Sequence, residues 1–309
     1  MIEAAERATV GLRVDVDTRR GLDEGVPRLL ELFRRRGIRA SFFVTMGPDH
    51  SGRALRRALR PSFLLKMWRT NPFKLYGLRT LLSGTLVPAR LVGAGAPAML
   101  RQMAGEGHEI APHGWDHVGW QDRIHRLDQA AIRADLDRAA QAFETAVGAA
   151  AAASAAPGWR TSTAALAIQD RRGLLYASDT RGDTPFRPRI DDRVLDTIQL
   201  PTTMPTMDEV VGRVGDVSAA LARAVRPGIN VFTLHAEVEG GAHLGAFEAF
   251  LDRLAASRVR LMRLDDMAAC LRAAGAAMPV ARVIRGRIDG RSDWIAVQSA
   301  LPDPHGRAA

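Results

Sequence analysis

Runs of β-branched and apolar residues alternate with stretches of helical periodicity along most of this chain, and several of the runs end on Asp or His. That alternation constrains the fold more than any single motif does. Parallel neighbours in a sheet need a crossover, usually a helix, so strand–helix alternation implies a parallel sheet. Residues 9–16, 40–46, 108–111, 174–177, 194–200, 229–234 and 259–264 read as strands. Residues 22–37, 127–147, 217–225, 243–256 and 265–273 read as helices, with Gly37 and Gly148 as stops. The alanine-rich run 149–156 reads as a linker into a strand near Gly158. The expected class is α/β, with the sheet open or closed into a barrel. In such folds the chemistry sits at the C-terminal ends of the strands. With 309 residues, 47% of them apolar, the chain can build a core of ordinary size. One cysteine, Cys270, excludes an internal disulfide and a Cys-based zinc site, and its apolar neighbours predict a buried side chain.

Asp15, Asp17, His113, Asp179 and His235 all fall at or just past predicted strand ends. Residues i and i+2 of a strand share a face, so Asp15 and Asp17 converge. Two carboxylates that close repel unless a cation lies near them. An isolated Asp-x-Asp is better explained by a turn at a strand end. His113 and His117 are separated by three residues, a spacing that suits one metal ion, and Gly114 lets the backbone turn between them. With Asp17 they make a two-His, one-carboxylate set that leaves positions open for water and substrate. A lone His after a strand, such as His235, is more often structural, and its company here raises the functional reading. Arg160 and Asp179 can orient acid/base groups by charge-assisted hydrogen bonds, or be ordinary surface ion pairs. A divalent metal polarises a carbonyl and acidifies its water. Asp15 is then placed to take the water's proton and His235 to protonate a leaving amine. The set therefore suits hydrolysis of an amide.

The net charge of +9 is uneven. Between Asp49 and Glu106 no acidic residue occurs, and Arg53, Arg56, Arg57, Arg60, Lys66, Arg69, Lys74, Arg79, Arg90 and Arg101 fall in that stretch. Pro61, Pro72 and Pro88 break it into helical pieces. Phe63, Leu64, Leu65, Trp68, Phe73 and Leu78 lie among the cations, a mixture that suits an anionic lipid interface, although a solvated basic hairpin would look similar.

In this order the motifs resemble the NodB-type polysaccharide deacetylases, carbohydrate esterase family four. The resemblance implies a distorted (β/α) barrel of about seven strands spanning residues 8–275, with a basic helical insertion at about 51–105 after the second strand and a C-terminal extension over 276–309. It implies metal ligands Asp17, His113 and His117, base Asp15, an arginine on that base matching Arg160, acid His235, and Asp179 orienting the acid. The cofactor it implies is one divalent ion, with zinc, cobalt, manganese or nickel all suited to His/Asp ligation. Val10–Thr18, Gly21, Glu24–Leu30, Pro61–Met67, Ser178–Gly182, Pro185–Pro188, His235–Gly240 and Val283–Gly286 are closer to one branch, the deformylases of undecaprenyl-phosphate 4-deoxy-4-formamido-L-arabinose. That likeness implies a polyprenyl-phosphate-linked amino sugar as substrate and work at the anionic inner-membrane surface, on its cytoplasmic face. It also implies a role in lipid A modification and cationic peptide resistance. Arg53, Arg56, Arg57, Arg60, Lys66, Trp68, Arg69, Arg181, Glu237 and Glu239 are the expected substrate or membrane contacts.

Other readings are weaker. Removal of an N-acetyl group is the alternative within hydrolases, since one methyl discriminates by only roughly 10–200-fold. A non-haem iron oxygenase also uses two His and a carboxylate, but on an all-β scaffold with the acid beside the first His. A basic chain can bind nucleic acid, yet no such module is present and the apolar residues within the basic segment favour lipid. The expectation is no nucleic-acid partner. No secretory signal or membrane-spanning stretch is expected from the N-terminus or hydropathy.

Overall fold

The structure is a computed structural model and describes residues 8–53, 82–275, 278–291 and 293–300. Its centre is strand β1 (Thr9–Val16). Strands β2 (Ser41–Val44) and β3 (Glu109–Pro112) extend the sheet on one side, and β9 (Ile229–His235) runs parallel along β1. A short strand, β10 (Arg260–Met262), pairs with the start of β1 and completes a five-stranded sheet.

A second parallel sheet holds three strands, β4 (Ala153–Ser154), β5 (Tyr176–Ala177) and β8 (Ile198–Gln199). Hydrogen bonds join the two arcs at both seams. Ala155 N donates to Pro112 O at 3.3 Å, and Thr203 N to Val231 O at 3.1 Å. The arcs therefore surround a common interior, the distorted barrel that the motif order implies, with ladders interrupted at the seams. The strand expected near Gly158 instead lies inside the alanine run, as β4. Ala153, Ala155 and Ala156 are buried there, so small side chains mark close packing, not a linker. Gly158 falls in a 3-10 turn, and the strand expected over 194–200 is two short pieces, β7 (Arg193–Val194) and β8.

Alternation along β1 sorts the core. Val10, Leu12, Val14 and Val16 point outward into a large cluster with Leu29, Leu30 and Phe33 of α1 (Val26–Arg36). Two further helices complete that layer. They are α4 (Gln129–Val147), which adds Phe143, and α8 (Leu244–Ala256), which adds Phe247 and Phe250. Five more helices among the described residues fall between α1 and α8 and carry less of the core. They are α2 (Pro97–Gly105), α3 (His117–Arg123), α5 (Thr163–Arg171), α6 (Met207–Val210) and α7 (Val217–Arg223). Gly37, at φ +64°, ends α1 in the left-handed conformation that suits glycine.

The inward positions differ. The lower interior is apolar, built from Phe43, Ala111, Tyr176, Ile198 and Val231. It is closed below by Leu264 and Met267 of helix α9 (Leu264–Ala273). The inward residues above that plug are polar: Arg13, Asp15, His113 and Ser178, all buried.

The C-terminal residues are part of the same body. β11 (Val280–Ala281) pairs with β6 (Arg187–Ile190), and β12 (Val283–Gly286) forms a hairpin with β13 (Ile295–Gln298). The hairpin is anchored by Arg181 N to Ala296 O and Gln298 N to Arg181 O. Cys270, expected to be buried, is exposed on α9. No helix among the described residues is long and apolar enough to cross a membrane.

Candidate active site

The C-terminal ends of β1, β3 and β9 deliver Asp15, Asp17, His113 and His235 to one end of the barrel. His117 arrives on the first turn of α3, whose N-cap Asp116 accepts from Gly119 N. Asp17 Oδ1 lies 3.2 Å from His117 Nε2 and 3.5 Å from His113 Nε2. Ligands ~2.0–2.2 Å from one ion lie about 3–3.5 Å from each other, so the spacing fits a shared cation.

The hydrogen bonding supports the same set. His113 Nδ1 meets Ala155 O at 2.9 Å, which makes Nδ1 the protonated nitrogen and leaves Nε2 a lone pair. Buried His113 Nε2 and Asp17 Oδ1 have no hydrogen-bond partner. Buried polar atoms are rarely left so, and here the two face each other with His117 beside them. Burial pushes the His113 imidazole down to about 4, so the neutral ligand form is favoured. Burial alone would raise the Asp17 carboxyl, but His117, His113 and His235 outweigh it and hold it far below the usual range.

Asp15 lies beside this set, its Oδ2 3.6 Å from His113 Nε2. Its carboxylate takes a two-point fork from Arg13, Nε to Oδ1 at 2.7 Å and Nη2 to Oδ2 at 2.8 Å. Arg160, expected on that base, points elsewhere. It donates to Gln121 O within hydrogen-bond distance at 2.5 Å, pairs with Asp293 at 2.9 Å and lies over Trp294. The arginine that meets Asp15 comes from the same strand, β1.

Asp179 does not meet the His235 ring. It is fully buried, bonded through Oδ2 to Gln199 Nε2 at 3.3 Å, and burial pushes its pKa up to about 6. The His235 ring instead stands edge-on to Trp159, centroids 6.1 Å apart. Trp159 is buried at φ +52°, a conformation few non-glycine residues adopt, and it donates from Nε1 to Thr202 Oγ1 at 2.9 Å. Arg13, Arg181 and Arg291 all lie over its ring. Nothing in the sequence pattern marks Trp159 as part of the site.

The expected surface contacts divide. Glu237 and Glu239 are not on a membrane-facing surface. Glu237 Oε1 accepts from Asp17 N, Thr18 N and Thr18 Oγ1 at 3.1, 2.7 and 2.7 Å, and Glu239 Oε2 accepts from His235 N at 2.8 Å. Both are buried, which raises their pKa values, Glu237 to about 8 with help from the Asp17 charge. They act as clamps on the backbone at Asp17 and Thr18 and at His235. Arg181 is also buried, paired with Glu209 at 2.8 Å. Arg53 is half-buried, donating to Gly84 O at 3.3 Å. Arg56, Arg57, Arg60, Lys66, Trp68 and Arg69 lie outside the described residues.

The polysaccharide deacetylase family profile matches residues 3–177. A protein of Shewanella sediminis (strain HAW-EB3), named "Probable 4-deoxy-4-formamido-L-arabinose-phosphoundecaprenol deformylase ArnD", is 37% identical over 297 residues, covering 94% of this chain and 95% of its own. A protein of Wigglesworthia glossinidia brevipalpis with the same name is 32% identical over 287 residues, covering 91% and 99%. Among solved structures, a protein from Mycobacterium smegmatis described as a "putative polysaccharide deacetylase" superposes with TM-score 0.61 at 19% identity over 92% of this chain and 96% of that one. Puue allantoinase does so with TM-score 0.60 at 17% identity over 86% and 90%. The fold, the strand-end constellation and these relatives together place the chain in the polysaccharide deacetylase family, as a hydrolase of amide C–N bonds.

Proposed function

We propose that this enzyme removes the formyl group from undecaprenyl-phosphate 4-deoxy-4-formamido-L-arabinose, giving the 4-amino sugar lipid and formate for lipid A modification and cationic peptide resistance. The carrying observation is the pair of buried, unpartnered ligand atoms, His113 Nε2 and Asp17 Oδ1, set beside His117, with Asp15 two residues before Asp17 on the same strand end. The two relatives described above bear a deformylase name for this substrate.

Asp17, His113 and His117 would hold one divalent ion. When bound, it polarises the formyl carbonyl and acidifies the attacking water. The chain's own groups do the rest. Asp15, fixed by its arginine, takes the proton from that water. His235, held at its backbone by Glu239 and along its ring by Trp159, gives a proton to the departing amine. Without that proton the amine is a poor leaving group.

The lipid-linked substrate favours work at the cytoplasmic face of the inner membrane. Support comes from the acid-free stretch between Asp49 and Glu106, and from its described end, where Leu86 is 81% exposed. Mass spectrometry of purified enzyme, a divalent metal and the formamido lipid tests the reading. Conversion to the amine is expected; hydrolysis of an N-acetyl sugar with the formamide untouched would favour the deacetylase alternative.

A further inference from the structure

Arg13 sits in the middle of β1, fully buried, two residues before Asp15 on the inward face. A guanidinium has five N–H donors in a rigid fork. Two are spent on the two oxygens of Asp15. The remaining nitrogen, Nη1, meets both the carbonyl and the hydroxyl of Ser178, the latter at 3.1 Å. Ser178 Oγ in turn donates to Leu200 O at 2.6 Å, so the anchor is itself held. The rings of Phe43 and Trp159 confine the guanidinium at 5.3 and 5.4 Å. Nothing in this arrangement is left to rotate. A carboxylate alone at the end of a strand would turn about its own side-chain torsions, and this one is gripped at both oxygens.

We propose that Arg13 is the positioning residue for Asp15, fixing the carboxylate's plane and direction through a fork anchored across the barrel on Ser178. This rests on Asp15 acting as the base. Lysine retains the charge but cannot grip both oxygens while reaching Ser178. The inference therefore separates the fork from the charge.

The test compares wild type, Arg13→Lys, Ser178→Ala, Arg13→Met and Arg13→Met/Asp15→Asn, measuring kcat, KM, bound metal by mass spectrometry, and Tm. Arg13→Lys should lower kcat by about 10–100-fold, the usual effect of loosening a group that orients a site residue, with KM and metal content unchanged. Ser178→Ala should lower kcat in the same way by less. Arg13→Met should lower Tm, because it strands a buried carboxylate, and adding Asp15→Asn should restore much of that loss. A kcat for Arg13→Lys within about twofold of wild type, or a double variant no more stable than Arg13→Met, overturns the proposal. The substrate reading fails separately. If wild type cleaves N-acetyl sugars and not the formamide, the same variants are compared on the N-acetyl substrate.

Discussion

Glu109 opens β3 at the end of the barrel opposite the candidate site, 9% exposed. Both its oxygens accept from Tyr176 OH at 2.8 Å, and Oε2 also accepts from Asp265 N at 3.1 Å. Burial, followed by the charge of Asp265, raises its pKa from 4.5 to about 7. The folded chain therefore holds this proton more tightly than the unfolded chain does. Its contribution to stability is complete below pH 4.5, declines as pH rises, and is lost above about 7. At 1.36 kcal/mol per pH unit the difference is about 3 kcal/mol. Glu109→Gln mimics the protonated form: its oxygen can accept from Asp265 N while its amide donates to the tyrosine oxygen. In urea unfolding the variant should match wild type near pH 4.5 and exceed it by up to about 3 kcal/mol at pH 8. With ~2.1 cal/mol/K of unfolding entropy per residue, that is about 5 °C in Tm. Equal or lower stability of the variant at pH 8 would refute the account, since it would mean that the ionised carboxylate is well solvated or well paired.

Other outcomes follow from the site. Chelation should lower Tm, and divalent metal at a hundred times its Kd should restore about 2.7 kcal/mol. His113→Ala/His117→Ala should lose both that metal-dependent shift and turnover, and unimpaired conversion by this variant would sink the ligand set. Asp15→Ala should keep its metal, measured by mass spectrometry, yet slow conversion by roughly 10²–10⁴-fold. At Gly21 an added methyl would lie 2.2 Å from Glu237 Oε1, so Gly21→Ala should displace the clamp on Asp17 and Thr18. Metal affinity should fall by about 10–100-fold in a titration. Neutralising Arg53, Arg56, Arg57 and Arg60 together should weaken sedimentation with anionic vesicles, and binding that survives it would remove that segment's membrane role.

The barrel and the placement of the ligand-type residues were legible because two strong rules apply. Strand–helix alternation fixes a parallel sheet, and its carboxyl ends collect the polar residues that the core excludes. That reasoning put Asp15, Asp17, His113 and His235 at one end of the molecule. It failed where placement depends on distant partners. Arg13 stood in a run that looked simply β-prone, although the same i, i+2 rule that paired Asp15 with Asp17 also puts Arg13 on their face. Arg160 follows the 3-10 turn of Trp159, and its direction is set by Asp293 and Trp294, over a hundred residues later. Glu237 and Glu239 read as substrate or membrane contacts because sequence does not show that three backbone and hydroxyl donors wait for one of them and an amide for the other. The alanine run misled for a related reason. Small residues signal either a loose tether or a place where backbones approach closely, and only the neighbours decide which.

The bond from His113 to Ala155 O crosses the seam between the two arcs of the barrel. The tautomer of His113 is thus chosen by a carbonyl on the other arc. A chain whose arcs had parted would still carry all three ligand side chains, but the imidazole would lose the partner that keeps Nε2 bare. Metal affinity in this protein should therefore report closure of the barrel as much as the presence of its ligands. Slow or incomplete closure after synthesis would show as a population that is folded in outline and poor at retaining its ion.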